Sequence, residues 1–267
     1  MNINYLAPGW LIQVMGTVCF ALGSTLTQAA QPLETEDARL PARGHGNVQG
    51  AVEWQTSSEG TESALPLVID YGVTDRFELS LEPVVFTSIN PDGGKSANGI
   101  GDIELTAKWL ALPEQGWRPA IALAGEIKVP TASNDLIGTG EWDYRAIVIG
   151  SKRFGKADVH ANLGYTFVGS PPGTQLDNLL DYALAVEFHV NTKLDLVAEV
   201  IGNTSSLSSA EAPDGTESTV TPEAAGDETV GLIGARYSVR PNIQLAFGVT
   251  YDNNNALLLR PGITWLF

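Results

Sequence analysis

An all-β chain folded as a transmembrane antiparallel up-and-down β-barrel of about twelve strands is the architecture this sequence predicts, on three observations. The first is apolar–polar alternation over spans of about 9–12 residues, enough to cross a bilayer at a tilt and longer than the ~5–6 of soluble sheets. The second is a regular succession of short and long connections. The third is the last strand, which ends in Phe267 with Trp265, Ile263, Pro261, Leu259 and Leu257 at every second position before it.

Composition narrows the function classes. The 267 residues include 15 basic and 31 acidic side chains, a net charge of −16, which excludes nucleic-acid binding through a net positive field. Charged residues make up 17 % of the chain, below the usual ~25 %, and the composition is too apolar for disorder. The single Cys19 excludes a disulfide framework and any Cys-based metal centre.

Residues 1–30 carry no charged side chain, and Leu6 to Leu26 is mostly apolar. Small residues at Thr27 and Ala29 suit signal-peptidase cleavage after Ala29 or Ala30. A secretion signal ordinarily opens on Lys or Arg, whereas the first basic residue here is Arg39. The division expected is therefore 1–30 as a signal peptide, 31–46 as an N-terminal periplasmic segment and 47–267 as the barrel. Past residue 31 the longest unbroken apolar run is Ala120 to Ala124, too short for a membrane helix.

In chain order the strands expected are 47–56, 64–72, 76–86, 101–111, 119–129, 142–153, 158–168, 179–190, 194–202, 229–238, 243–252 and 257–267. Over the first three, parity turns Glu53, Asp70, Glu78 and Glu82 to one face. In 101–111, Ile103, Leu105, Ala107 and Trp109 oppose Asp102, Glu104, Thr106 and Lys108. The next two strands turn Glu126 and Lys128, then Asp143, Arg145 and Arg153, to the polar face. In 158–168, Val159, Ala161, Leu163, Tyr165 and Phe167 oppose His160, Asn162, Gly164 and Thr166. In 179–190, Leu180, Tyr182, Leu184, Val186 and Phe188 oppose Asp181, Ala183, Ala185, Glu187 and His189. The last four strands place Asp195, Glu199, Arg236 and Arg260 on the polar face.

Short connections such as Val73-Thr74-Asp75 and Gly155-Lys156 take turns with longer ones such as 57–63, 87–100 and 203–228. Tight periplasmic turns and long external loops have this pattern. The aromatics agree, apart from Phe247 near mid-strand: Tyr71, Phe77, Trp109, Trp117, Phe154, Phe188, Tyr237 and Trp265 gather toward one end, and Trp54, Phe86, Trp142, Tyr144, Phe167, Tyr182 and Tyr251 toward the other, as two interfacial girdles would. A soluble β-sandwich or lipocalin-like barrel is the competing fold, with shorter strands and a bulky apolar core. Ile263, Trp265 and Phe267 form the expected C-terminal assembly signal.

The polar face becomes the lumen. Its expected lining includes Asp102, Glu104, Lys108, Glu126, Lys128, Asp143, Arg145, His160, Glu187, His189, Glu199, Arg236 and Arg260. Buried charge must be paired or hydrated, so the lumen holds water, ion pairs or both, and its excess of acids favours cations. His160 and His189, on neighbouring strands, offer two ligands, too few for a metal site to be expected. The loop 203–228 carries Glu211, Asp214, Glu217, Glu223, Asp227 and Glu228 with no basic residue, a solvated external loop. Gly93-Gly94-Lys95-Ser96 has Ile89 where a phosphate loop needs its first glycine.

Tyr71-Gly72-Val73-Thr74-Asp75-Arg76-Phe77-Glu78-Leu79 resembles a recurring hairpin of the Gram-negative MetA-pathway-of-phenol-degradation family of outer-membrane proteins, also called transporters. Gly99 to Leu105 with Lys108, Gly125 to Thr131, and Ala198-Glu199 are similar to the same family, and the resemblance spans roughly 45–267. It implies a β-barrel that passes hydrophobic or aromatic compounds, and it defines no catalytic residues. The function expected is a passive outer-membrane channel for small molecules. Its partners are membrane lipid, lipopolysaccharide and the barrel assembly machinery, and no cofactor or metal is expected. A closed structural or adhesive barrel is the alternative, and a lipid-modifying barrel enzyme a more distant one.

Overall fold

The computed structural model describes residues 31–173, 175–206 and 228–267. The signal peptide and most of the acidic loop 203–228 lie outside the described residues.

Strands are the only regular elements among the described residues, and the sheet they form closes on itself. Fourteen strand segments form twelve staves. The first stave joins β1 (Gly46–Ala51) to β2 (Glu53–Ser57). It breaks at Val52, opposite Pro261, which has no N–H for the ladder. Then come β3 (Gly60–Thr74) and β4 (Phe77–Pro91). The short β5 (Ala97–Gly99) continues in register into β6 (Ile103–Leu112). β7 (Ala120–Val129), β8 (Asp143–Phe154), β9 (Ala157–Phe167), β10 (Leu179–His189) and β11 (Leu194–Asn203) follow as neighbours. β12 (Glu228–Arg240), β13 (Ile243–Asp252) and β14 (Leu257–Leu266) complete the wall. Every pairing is antiparallel, and β14 meets β1 with Val48 opposite Trp265 and Gly50 opposite Ile263. Closure leaves no free sheet edge, the condition for strands in lipid.

Two loops expected from sequence are strand instead. β3 begins at Gly60, so 57–63 shrinks to a turn at Ser58-Glu59, and β4 runs to Pro91 with β5 folded back on it. These segments are rich in Ser, Thr, Asn, Gly and charged residues, which reads as loop. They extend the barrel at its long-loop end, where no apolar outer face is required. At the other end the turns are tight, and Gly155 closes β8 onto β9 with a φ of 63°.

Outward side chains are apolar and exposed along the wall, among them Leu105, Leu123, Val148, Leu163, Leu184, Val200 and Phe247. The aromatics of both girdles, from Trp109, Phe154 and Trp265 at one end to Trp54, Tyr144 and Tyr251 at the other, are exposed with them. Such a surface is stable only against lipid. The buried side chains are largely polar and line the interior.

Candidate functional site: the lumen and the segment inside it

Residues 31–46, read from sequence as an N-terminal periplasmic segment, begin within the lumen: residues 31–39 run along the inner wall. Gln31 to Glu36 and Ala38 are buried. The strand alternation cannot reveal this, because the segment has no period of its own; its only signal is a run of polar and small residues with backbone donors to satisfy.

The wall satisfies those donors. Gln31 N–H donates to Gln49 Oε1 at 3.1 Å. Glu34 N–H donates to the Glu199 carboxylate at 3.0 Å, and the N–H and hydroxyl of Thr35 donate to the same carboxylate. Asn162 accepts Glu36 N–H at 2.6 Å and returns a hydrogen bond to Glu36 O at 3.0 Å. Ala38 N–H donates to Ser151 Oγ at 2.8 Å. Unpaired backbone donors buried in the lumen would be costly, so each of these contacts helps decide where the segment rests.

Apolar contacts fix it further. Leu33 packs with Ala185, Val197 and Leu232. Ala38 sits on Ala120, Ala122, Ala124, Ile147 and Ile149. Pro32 fills a recess made by two inward glycines on paired strands: a Cβ built on Gly234 or Gly248 would stand 2.6 Å from the Pro32 ring.

Ion pairs complete the dock, with one arrangement used twice. Lys108 Nζ lies 2.7 Å from Glu36 of the segment and 3.1 Å from Glu78 of the wall. Arg260 pairs with Glu34 of the segment and, at 3.0 Å, with Glu53 of the wall. Each wall cation is thus shared between a wall acid and a segment acid. In the reverse sense, Arg39 of the segment reaches Asp158 of the wall at 3.2 Å.

The remaining expected lumen residues form pairs of their own. Lys128 lies 2.6 Å from Asp143 and 3.7 Å from Asp102, whose carboxylate accepts the N–H groups of Thr131 and Ala132. Arg145 bonds Asp181 and stands 3.8 Å from Glu126. Arg236 reaches Glu187 at 2.5 Å. Glu104 is buried, with Glu82 directly across the β4–β6 pair. His160 is buried, while His189 sits near the short-turn end between Asp158 and Asp195. Sequence parity missed two classes of lumen residue: Asp158, at a strand start, and the inward apolar set of Ile147, Ile149 and Leu232. Ile263, Trp265 and Phe267 are on the outer surface at the closing seam, with the Trp265 and Phe267 rings 5.5 Å apart.

Ser151 Oγ lies 2.9 Å from His160 Nδ1, the contact of a Ser–His nucleophile. Ser151 is buried beneath Ala38, facing the lumen and away from lipid.

Twelve antiparallel staves with an apolar outside and an ionised inside define a transmembrane β-barrel. Within that class, residues 31–257 match the family described as "Putative MetA-pathway of phenol degradation", and the chain belongs to it. The fold is similar to the COG4313 outer membrane channel from Pseudomonas putida F1, with 17% identity, TM-score 0.64, and coverage of 85% of this chain and 97% of that one. The NanC porin is similar at 13% identity and TM-score 0.59, covering 82% and 98%. The KdgM porin crystallised with disordered oligogalacturonate is similar at 12% identity and TM-score 0.55, covering 83% and 99%. No curated protein sequence matches the chain.

Proposed function

We propose that this protein is a passive, non-enzymatic outer-membrane channel for small molecules, in which residues 31–39 restrict the lumen. One observation carries the reading: a closed barrel whose outer wall suits lipid and whose inner wall is ionised. Likeness in fold to outer membrane channels and porins supports it. The excess of lumen acids favours cations among ionic permeants, and the family description adds aromatic compounds as candidate solutes. A signal peptide at 1–30 and the C-terminal Ile263, Trp265 and Phe267 are the features that would deliver the chain to the assembly machinery. Lipid and lipopolysaccharide would then surround it.

A second reading, a closed structural barrel, is favoured by the packing at the level of Glu36. There Glu36, Lys108, Glu78, Asp70 and Ala38 are all 0% exposed. Planar-bilayer recording of refolded residues 31–267 in a salt gradient separates the two. Discrete cation-selective steps support the channel. A folded, heat-resistant barrel that stays silent supports the closed barrel.

A further inference from the structure

We propose that the short-turn end of the lumen holds a divalent transition-metal site built from Asp158, His160, Glu187 and His189. The sequence carries an acid, one residue and a histidine twice, as Asp158-Val159-His160 and Glu187-Phe188-His189. The two triplets lie on neighbouring antiparallel strands, β9 and β10, with Asp158 directly opposite Glu187. Period-two geometry turns all four side chains to the lumen. Donor atoms of Asp158, Glu187 and His189 lie within 4.8 Å of one another.

The orientation of the two imidazoles points to a ligand. His189 Nδ1 is held by Asp195 at 2.7 Å and turns Nε2 to Asp158 at 3.0 Å. His160 Nδ1 is held by Ser151 Oγ at 2.9 Å. Its Nε2 is buried and makes no hydrogen bond, and Glu187 Oε1 stands 3.9 Å away. Metal-binding histidines have one nitrogen fixed by an outer partner and the other turned to the ion; at His160 that other nitrogen is unpaired, and at His189 it meets Asp158, itself one of the proposed ligands. A donor set of two imidazoles and two carboxylates suits Zn²⁺ and its d-block neighbours better than Ca²⁺ or Mg²⁺, which take oxygen shells.

Three arginines now neutralise the carboxylates: Arg39 and Arg153 at Asp158, and Arg236 at Glu187. Arg153 has a half-exposed side chain and can turn to water as an ion takes over its charge. Arg39 belongs to the lumen segment, so metal and segment compete for Asp158. The site thereby links metal binding to the seating of residues 31–39.

The test uses refolded, untagged residues 31–267, with folding checked by heat-dependent gel migration. Zn²⁺ titration by calorimetry is expected to show one equivalent of binding, weakened at least tenfold in both His160→Gln and His189→Gln and unchanged in His45→Gln. Cu²⁺ electron paramagnetic resonance on the unsubstituted chain is expected to resolve nitrogen couplings from two imidazoles, an outcome that needs no variant to fold. Absence of binding, binding that survives both substitutions, loss in only one of them, or a spectrum without two nitrogen ligands would overturn the proposal.

Discussion

Along β10, alternate residues meet two different surroundings. Leu184, Val186 and Phe188 stand in lipid, while Asp181, Ala185 and Glu187 face the lumen. The outer positions need one property, apolarity, and fluid acyl chains adapt to any shape. The inner positions need particular partners, as Lys108 needs Glu36 and Glu78. The outer wall should therefore tolerate apolar exchanges and fail on a charge, whereas the inner wall should fail when one member of a pair is removed.

The largest effect is expected on the inside. Lys108→Met leaves Glu36 and Glu78 buried without their shared cation, and breaking such a pair costs about 3–5 kcal/mol. Urea unfolding of the vesicle-embedded barrel, read by tryptophan fluorescence, measures the loss; an unchanged midpoint would mean the pair is hydrated. Next comes the outside: Leu184→Arg at mid-strand should cost about 2–4 kcal/mol, while Leu184→Val costs far less. Equal effects from the two would show that this face is not in lipid.

A smaller change sharpens the role of the segment. Gly248→Leu drives a side chain into Pro32, and overpacking of this kind costs about 1–3 kcal/mol. The segment should leave its seat, seen as faster tryptic cleavage after Arg39 with the barrel intact. The smallest effect belongs to a turn outside the membrane. Lys152 Nζ, 2.5 Å from Glu114, holds that carboxyl below its ordinary range. The Glu114 side chain lies in a surface turn and is partly exposed, so Glu114→Gln should cost no more than about 1 kcal/mol near neutral pH. A depressed carboxyl stabilises above its unfolded pKa and loses the contribution as pH falls through its folded value. The gap between the two proteins should accordingly close in acid, as paired urea titrations would show.

The wall was legible in the sequence because lipid imposes a period of two on every stave. All twelve expected spans correspond to staves, and the girdle aromatics fall where alternation put them. The polar extensions at Gly60 and Pro91 escaped because outside the hydrocarbon no alternation is needed. Which lumen acid meets which lumen base was not legible, since parity gives direction and not height. The position of residues 31–39 was hidden more completely. The partners of Glu34, Glu36 and Arg39 are Arg260, Lys108 and Asp158, on β14, β6 and β9, strands far away in the chain.

That residues 31–39 sit in the lumen and limit passage is tested most directly by recording single channels of residues 31–267 beside a chain starting at residue 40. A several-fold rise in conductance on removing the segment, with cation preference retained, is the result expected. Identical conductance in the two chains, with both barrels folded, would contradict it.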